Sequence, residues 1–264
     1  MNTNSNTYTV IYSTILVVIV AAVLAFVAKF LQPMQDANVK KDTISQILTA
    51  AGIEDTDKDV LDVYMAEIEK AILVNAEGQE VGTLNTTDKE NLQVYGNSEL
   101  KAQIAADAKC LPVYIFKNHV TVIPCYGAGL WGPIWGYIGL DTDLNTIKKA
   151  CFGHKGETPG LGAKITDEPK AFADHFAGKK IGKETIEILE KKVVVENDTI
   201  VKPDTIVKRP DFFFEVAKAS RRTIEENGVD AISGATITSE AVGKSLNQWF
   251  GFYEEYFKKN AKEE

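Results

Sequence analysis

The sequence predicts an α+β chain: one N-terminal transmembrane helix, then a mixed sheet-and-helix domain. Three observations predict it. The stretch "VIYSTILVVIVAAVLAFVA", Val10 to Ala28, carries no charge. Further on, apolar runs come in pairs around turn residues, as hairpins do. The chain then closes on a long segment with apolar residues at helical spacing. Strands and helices mix without a regular βαβ alternation, which argues against a doubly wound fold.

Each element follows from its residues. About 20 apolar residues cross a bilayer as a helix, and Val10–Ala28 fits that length. A cleaved signal peptide is the alternative, but no Lys or Arg precedes the run and it exceeds an ordinary signal core. The cations nearest the run, Lys29, Lys40 and Lys41, lean toward a cytoplasmic C-terminal side. Gln32 to Ala37 reads as a linker with Pro33 ending the helix, so residues 1–31 form the anchor and 32–264 a separate domain. "DTISQILTAAGI" reads as a new helix, with Asp42 as its cap, Ile44, Ile47, Leu48 and Ala51 on one face, and Gly52 as its stop. A second helix is expected over Asp57–Lys70, from Val60, Tyr64 and Ile68 at spacings of four.

Strands come next. "AILVNAEGQEVGTL" is a hairpin turning at Glu77-Gly78, and "LPVYIFKNHVTVIPCYG" repeats the plan around Asn118 and His119. "IWGYIGLDTDL" and the region around Val193–Val195 add further strands. A short helix around Ala171–Ala177 ends at Gly178, and "FFFEVAK" fits either strand or helix. The last helix starts near Thr238, buries Val242, Leu246, Trp249, Tyr253 and Phe257, and ends in Lys258 and Lys259, which suit its negative end.

Composition removes some functions. A net charge of −8 argues against a nucleic-acid surface, which needs clustered cations. The 3 cysteines, Cys110, Cys125 and Cys151, are no disulfide framework, although one Cys110–Cys125 bridge across a hairpin would be feasible. Cys151 and His154 form half of a metal-ligand pattern, with no second pair to complete it. His119 and His175 read as turn and surface residues, and Arg221 and Arg222 as a solvated face that could alternatively neutralise a phosphate. The terminal "KEE" reads as a tail.

Three segments could carry chemistry. "GAGLWGPIWGYIGLD", Gly127 to Asp141, is glycine-rich with Trp131 and Trp135; alone, it reads as a turn-rich connection with both tryptophans in the core. "ETPGLGAKI", Glu157 to Ile165, holds the tight turn Thr158-Pro159-Gly160 and an apolar finger, Leu161. Its glycines lack dinucleotide-binding spacing. "DAISGATITSEAV" crowds Ser233, Thr236, Thr238 and Ser239 into the mouth of the last helix, where amides and dipole favour a phosphate and Gly234 and Ala235 admit a bulky group. Ser233 lacks the flanking glycines of a serine-hydrolase elbow.

Taken together, "GLWGPI", "ETPGLG" and "SGATITS", in that order behind an anchor, resemble the FMN-binding domain family, and in particular its branch of C subunits of sodium-translocating NADH:quinone reductases. The resemblance runs from the anchor to the last helix. It implies FMN joined by a phosphoester to Thr236, attached by a separate flavin transferase. It also implies a pocket of Trp131, Glu157, Thr158, Gly160, Leu161, Gly162, Ser233, Gly234 and Ala235, with Asp230 and Ser233 as recognition elements or caps. Here Lys155 stands between His154 and Gly156, a departure from the family's His-Gly-Glu-Thr. The resemblance further implies an electron-transfer subunit of an inner-membrane translocase, without turnover of its own. Its partners would be other reductase subunits, the transferase and membrane lipid, and its domain would be extracytoplasmic (periplasmic), against the charge reading. The alternatives are the G subunit of an Rnf-type ferredoxin–NAD reductase, which tends to lack a segment such as Asn38–Asn97, a non-redox anchored ligand-binding protein, and a stand-alone flavoenzyme, for which no general acid or base is evident.

Overall fold

The computed structural model describes residues 6–53, 58–182, 187–191, 194–196, 199–201, 204–208, 213–218 and 227–261. Two compact units divide the chain, Met1–Asp42 and Thr43–Glu264.

The first helix, α1, runs Asn6–Ala50 with Pro33 inside it. Its apolar stretch is long and apolar enough to cross a membrane. The expected linker at Gln32–Ala37 is therefore helix, and Asp42 lies within it rather than capping a new one. The reason is local. Proline deletes one backbone bond and crowds the preceding turn, but from Met34 to Ala51 there is no glycine or second proline, so nothing stops the helix from resuming. Gly52 does stop it, as expected. At φ +74° it lets its own N–H donate to Thr49 O (3.0 Å) and that of Ile53 to Leu48 O (3.0 Å), the paired bonds of a Schellman cap.

In the second unit α2 covers Val60–Glu67, with Asp59 accepting from Leu61 N–H at its start. The helix stops three residues short of the expected Lys70, because Ile68 already begins β1 (Ile68–Val74). Pairing with β3 outweighs helical spacing there. β1 turns into β2 (Glu80–Thr83), α3 spans Asn97–Ala105, β3 is Leu111–Phe116, β4 Thr121–Ala128, β5 Pro133–Leu140 and β6 Ile147–His154. Neither α3 nor β6 follows from the sequence patterns above. The six strands make one sheet, ordered β2-β1-β3-β4-β5-β6, antiparallel at each pairing. α4 (Lys164–Asp167) and two 3₁₀ turns, Pro169–Ala171 and Ala173–Phe176, follow. Four short strands come next, β7 (Glu187–Lys191), β8 (Val194–Glu196), β9 (Thr199–Val201) and β10 (Asp204–Lys208), paired β7 with β10 and β8 with β9. β11 (Glu215–Ala217) lies parallel to β12 (Gly228–Asp230), so "FFFEVAK" is strand at its centre. α5 covers Thr236–Asn260. Arg221, Arg222 and the terminal "KEE" lie outside the described residues.

Both faces of the sheet are covered, and strand alternation sorts the side chains between them. Leu111, Val113, Ile123 and Cys125 share a core with α5, which contributes Val242, Leu246, Trp249, Tyr253 and Phe257, all buried as predicted. Tyr114, Phe116, Val122 and Tyr137 face Ile44, Ile47, Leu48 and Tyr64. The sheet lets α1 come close at Gly139, where a Cβ would stand 2.0 Å from Ala50 O. α5 is pinned to the sheet through Trp249 Nε1–H to Tyr126 O (2.9 Å) and to the residue just before β11 through Asn247, which donates to Phe214 O (2.9 Å) and accepts from Phe214 N–H (2.7 Å). The three cysteines are free thiols.

Candidate functional site

Packing on the sheet gathers the three sequence segments around one cleft of about 700 Å³. The β4–β5 turn supplies Leu130 and Trp131, closed by Gly129 N–H donating to Gly132 O at 2.8 Å. The turn after β6 supplies Glu157, Thr158, Leu161 and Gly162, and its Thr158 O accepts from both Leu161 and Ala163 N–H at 3.1 Å. The start of α5 supplies Ser233, Gly234, Ala235, Thr236, Ile237 and Thr238. β11 and β12 add Lys218, Asp230 and Ala231. Gly160 does not line the cleft. It sits at φ +74°, where it shapes the turn that presents Leu161. Leu161 Cδ2 in turn lies 3.2 Å from where a Cβ would stand on Gly234 (φ +82°), so the bare backbone there lets the second and third segments meet.

Buried Glu157 is the joint of the site. It is 4% exposed. Its Oε1 accepts from Trp131 N–H (2.9 Å), its Oε2 accepts from Thr238 Oγ1–H (2.7 Å), and its own N–H donates to His154 Nδ1 (3.2 Å). One side chain thereby ties all three segments together. His154 thus has a structural partner despite the extra Lys155.

The four hydroxyls at the helix mouth divide into two pairs. Thr238 is committed to Glu157. Ser239 accepts from Ile232 N–H (3.1 Å) and donates to Ala235 O (3.0 Å), so it shapes the loop. Ser233 and Thr236 line the cleft and, among the described residues, hold no hydrogen bond. α5 begins at Thr236 with Ala235 as its cap, two residues before the expected start. Thr236 is therefore the first helical residue, in the turn whose amides have no intrahelical acceptor.

The apolar lining is open to solvent: Leu130 is 49% exposed, Trp131 68%, Leu161 45% and Ile237 62%. Trp131 is therefore not the core residue that its segment suggests in isolation. Trp135 is half-buried against the core on the α1 side, with Nε1–H donating to Gln46 Oε1 at 2.9 Å. Exposed apolar side chains at a concave site mark a binding surface.

Residues 129–251 match the FMN-binding domain family. The C subunit of the Na(+)-translocating NADH-quinone reductase of Haemophilus ducreyi is 30% identical over 94% of this chain and 90% of its own length. The chain belongs to that family of reductase C subunits. The corresponding protein of Vibrio vulnificus is 28% identical over 84% of this chain and 81% of its own. The crystal structure of the Parabacteroides distasonis C subunit superposes with a TM-score of 0.63 at 30% identity, covering 86% of this chain and 96% of that one. Shewanella oneidensis NqrC shares the fold, with a TM-score of 0.61 at 24% identity.

The residues present fit FMN. The cleft volume lies within the range of cofactor sites, the flat Trp131 ring and the aliphatic Leu130, Leu161 and Ile237 flank it, and hydroxyls meet a helix N-terminus that favours phosphate. Leu130, Lys218 and Ile237 are lining residues that sequence reasoning missed. Leu130 stands beside Trp131 in a quoted motif, so it was within reach. Lys218 follows β11, and only the β11–β12 pairing brings it to the cleft.

Proposed function

We propose that this chain is the membrane-anchored electron-transfer subunit of a sodium-translocating NADH–quinone reductase, with FMN esterified to Thr236. One observation carries the attachment reading. Of the hydroxyls at the mouth of α5, Thr238 and Ser239 are used internally, and Thr236 stands at the first helical residue where amides and dipole can hold a phosphate. Ser233, exposed and ahead of Gly234, stands outside the helix. Bound flavin would supply the one- and two-electron chemistry. The chain's own residues do the rest: Trp131, Leu161, Leu130 and Ile237 provide apolar faces that keep water from the ring, and Gly234 and Ala235 leave room for its approach. Thr236 Oγ1 gives up its proton as its bond to phosphorus forms. A leaving group must depart from that phosphorus, so an activated flavin donor and a transferase are needed. Domain organisation follows the same reading, with the apolar part of α1 as a single-pass anchor in the inner membrane and the FMN-binding domain on the extracytoplasmic side.

Two experiments test it. Thr236→Ala, co-expressed with the flavin transferase, should give no fluorescent band on a denaturing gel, whereas Ser233→Ala should stay fluorescent. A fluorescent Thr236→Ala band would move the attachment elsewhere. For topology, an engineered cysteine near Asn260 should react with an impermeant reagent in spheroplasts. Protection of that site would restore the orientation favoured by Lys29, Lys40 and Lys41.

A further inference from the structure

We infer that Glu157 is a positioning residue that preforms the flavin cleft and holds a fixed negative charge against it, keeping the flavin's reduction potential low. The inference rests on the proposed placement of FMN in the cleft. Glu157 is buried, and each carboxylate oxygen accepts a hydrogen bond from a neutral donor, Trp131 N–H at 2.9 Å and Thr238 Oγ1–H at 2.7 Å. Two accepted bonds match the ionised, acceptor-only form. Among the described residues no Lys, Arg or His forms an ion pair with it, so hydrogen bonds stabilise the charge without cancelling it.

The surroundings are shaped to this carboxylate. A Cβ on Gly129 would stand 2.5 Å from Oε1, and a Cβ on Gly162 would stand 2.5 Å from Oε2. Bare backbone on both sides leaves room for the two oxygens. The other charged groups of the cleft are Lys218, which is exposed and so screened by water, and Asp230. Charge in a dry environment acts over longer distances than charge in water. Reduction adds electron density to the flavin, and a neighbouring carboxylate opposes that addition, as charge near the ring tunes flavins in general. The same two hydrogen bonds fix the Trp131 backbone and the first turn of α5, which carries Thr236.

The test uses the full-length chain, flavinylated by co-expression with the transferase, and reads the flavin midpoint potential by spectroelectrochemistry. Glu157→Gln removes the charge and keeps the shape. It should stay fluorescent on a denaturing gel and favour the reduced flavin tenfold or more, a positive shift of about 30 mV for a two-electron couple. Glu157→Asp, which keeps the charge, should fall between Gln and wild type. If Glu157→Gln does not accumulate, Thr238→Val decides: the carboxylate stays but loses a donor, its field is less offset, and the potential should shift negative. A fluorescent Glu157→Gln chain with the wild-type potential, or a positive shift in Thr238→Val, overturns the inference. A fluorescent Thr236→Ala chain would instead overturn the attachment reading beneath it.

Discussion

At the scale of single residues, the helix mouth shows how one motif can divide its work. Four hydroxyls look alike in the sequence, yet Thr238 and Ser239 are buried and hydrogen-bonded while Ser233 and Thr236 face the cleft. Thr238→Ala should therefore leave flavin attachment intact and lower stability. It strips one donor from a buried carboxylate, a loss of about 1–3 kcal/mol that urea unfolding of the flavinylated chain would report. A wild-type midpoint in urea, or a dark band on the gel, would contradict this division of roles. The motif and its order were legible in the sequence. Which hydroxyl was spent internally was not, because the partner of Thr238 is Glu157, a residue distant in the chain that only packing brings near. Gly160 illustrates the converse. Its place in a glycine-rich turn suggested a pocket wall, but a left-handed backbone was its reason for being glycine.

At the scale of elements, α5 does two jobs, presenting its first turn to the cleft and filling one core with its buried face. Its burial stripe was readable from spacing alone, because apolar residues three and four apart share a face. Trp249 is fully buried in it and donates to Tyr126 O. Trp249→Ala should cost about 3–5 kcal/mol by cavity formation, and exposed Gln248→Ala no more than about 0.5 kcal/mol, both measured as shifts in denaturant midpoint. Equal effects would mean that α5 is not seated as described. α1 shows where element-level reading failed. A proline predicts a break, but it removes only one bond, and without a following glycine or second proline the helix continues to Ala50. α2 and β1 show the opposite error, since helical spacing continued into Ile68, where pairing with β3 took over.

At the scale of the whole molecule, the sheet unit buries several tyrosines and one cysteine in neutral form. Tyr114, Tyr137 and Tyr253 are fully buried, and desolvation holds their hydroxyls above the ordinary tyrosine range; desolvation also raises Tyr64. Burial pushes the Cys125 thiol up to about 12. The sign follows from linkage. A group that keeps its proton more tightly when folded favours the native state fully below its unfolded value, and that advantage is lost as pH rises and the unfolded chain ionises. Cys125, from an ordinary value of 9.0, and the tyrosines, from 10.0, place the loss above about pH 9. Thermal unfolding should therefore show a nearly constant Tm from about pH 7 to 8.5 and a steep fall between about pH 9.5 and 11. A flat profile through about pH 11 would show that these groups are solvated in the folded protein.

By itself the sequence determined the α+β class, the apolar stretch able to span a membrane, the hairpins, the buried face of α5 and the three segments that meet at the cleft. Each is written in local periodicity, turn chemistry or short motifs, which neighbouring residues dictate. Tertiary structure alone decided that Glu157 joins Trp131 to Thr238, that Lys218 reaches the cleft after β11, and that the hydroxyl of Thr236 rather than that of Thr238 is left unbonded at the helix start. These outcomes depend on contacts between residues far apart in the chain, which no local pattern shows.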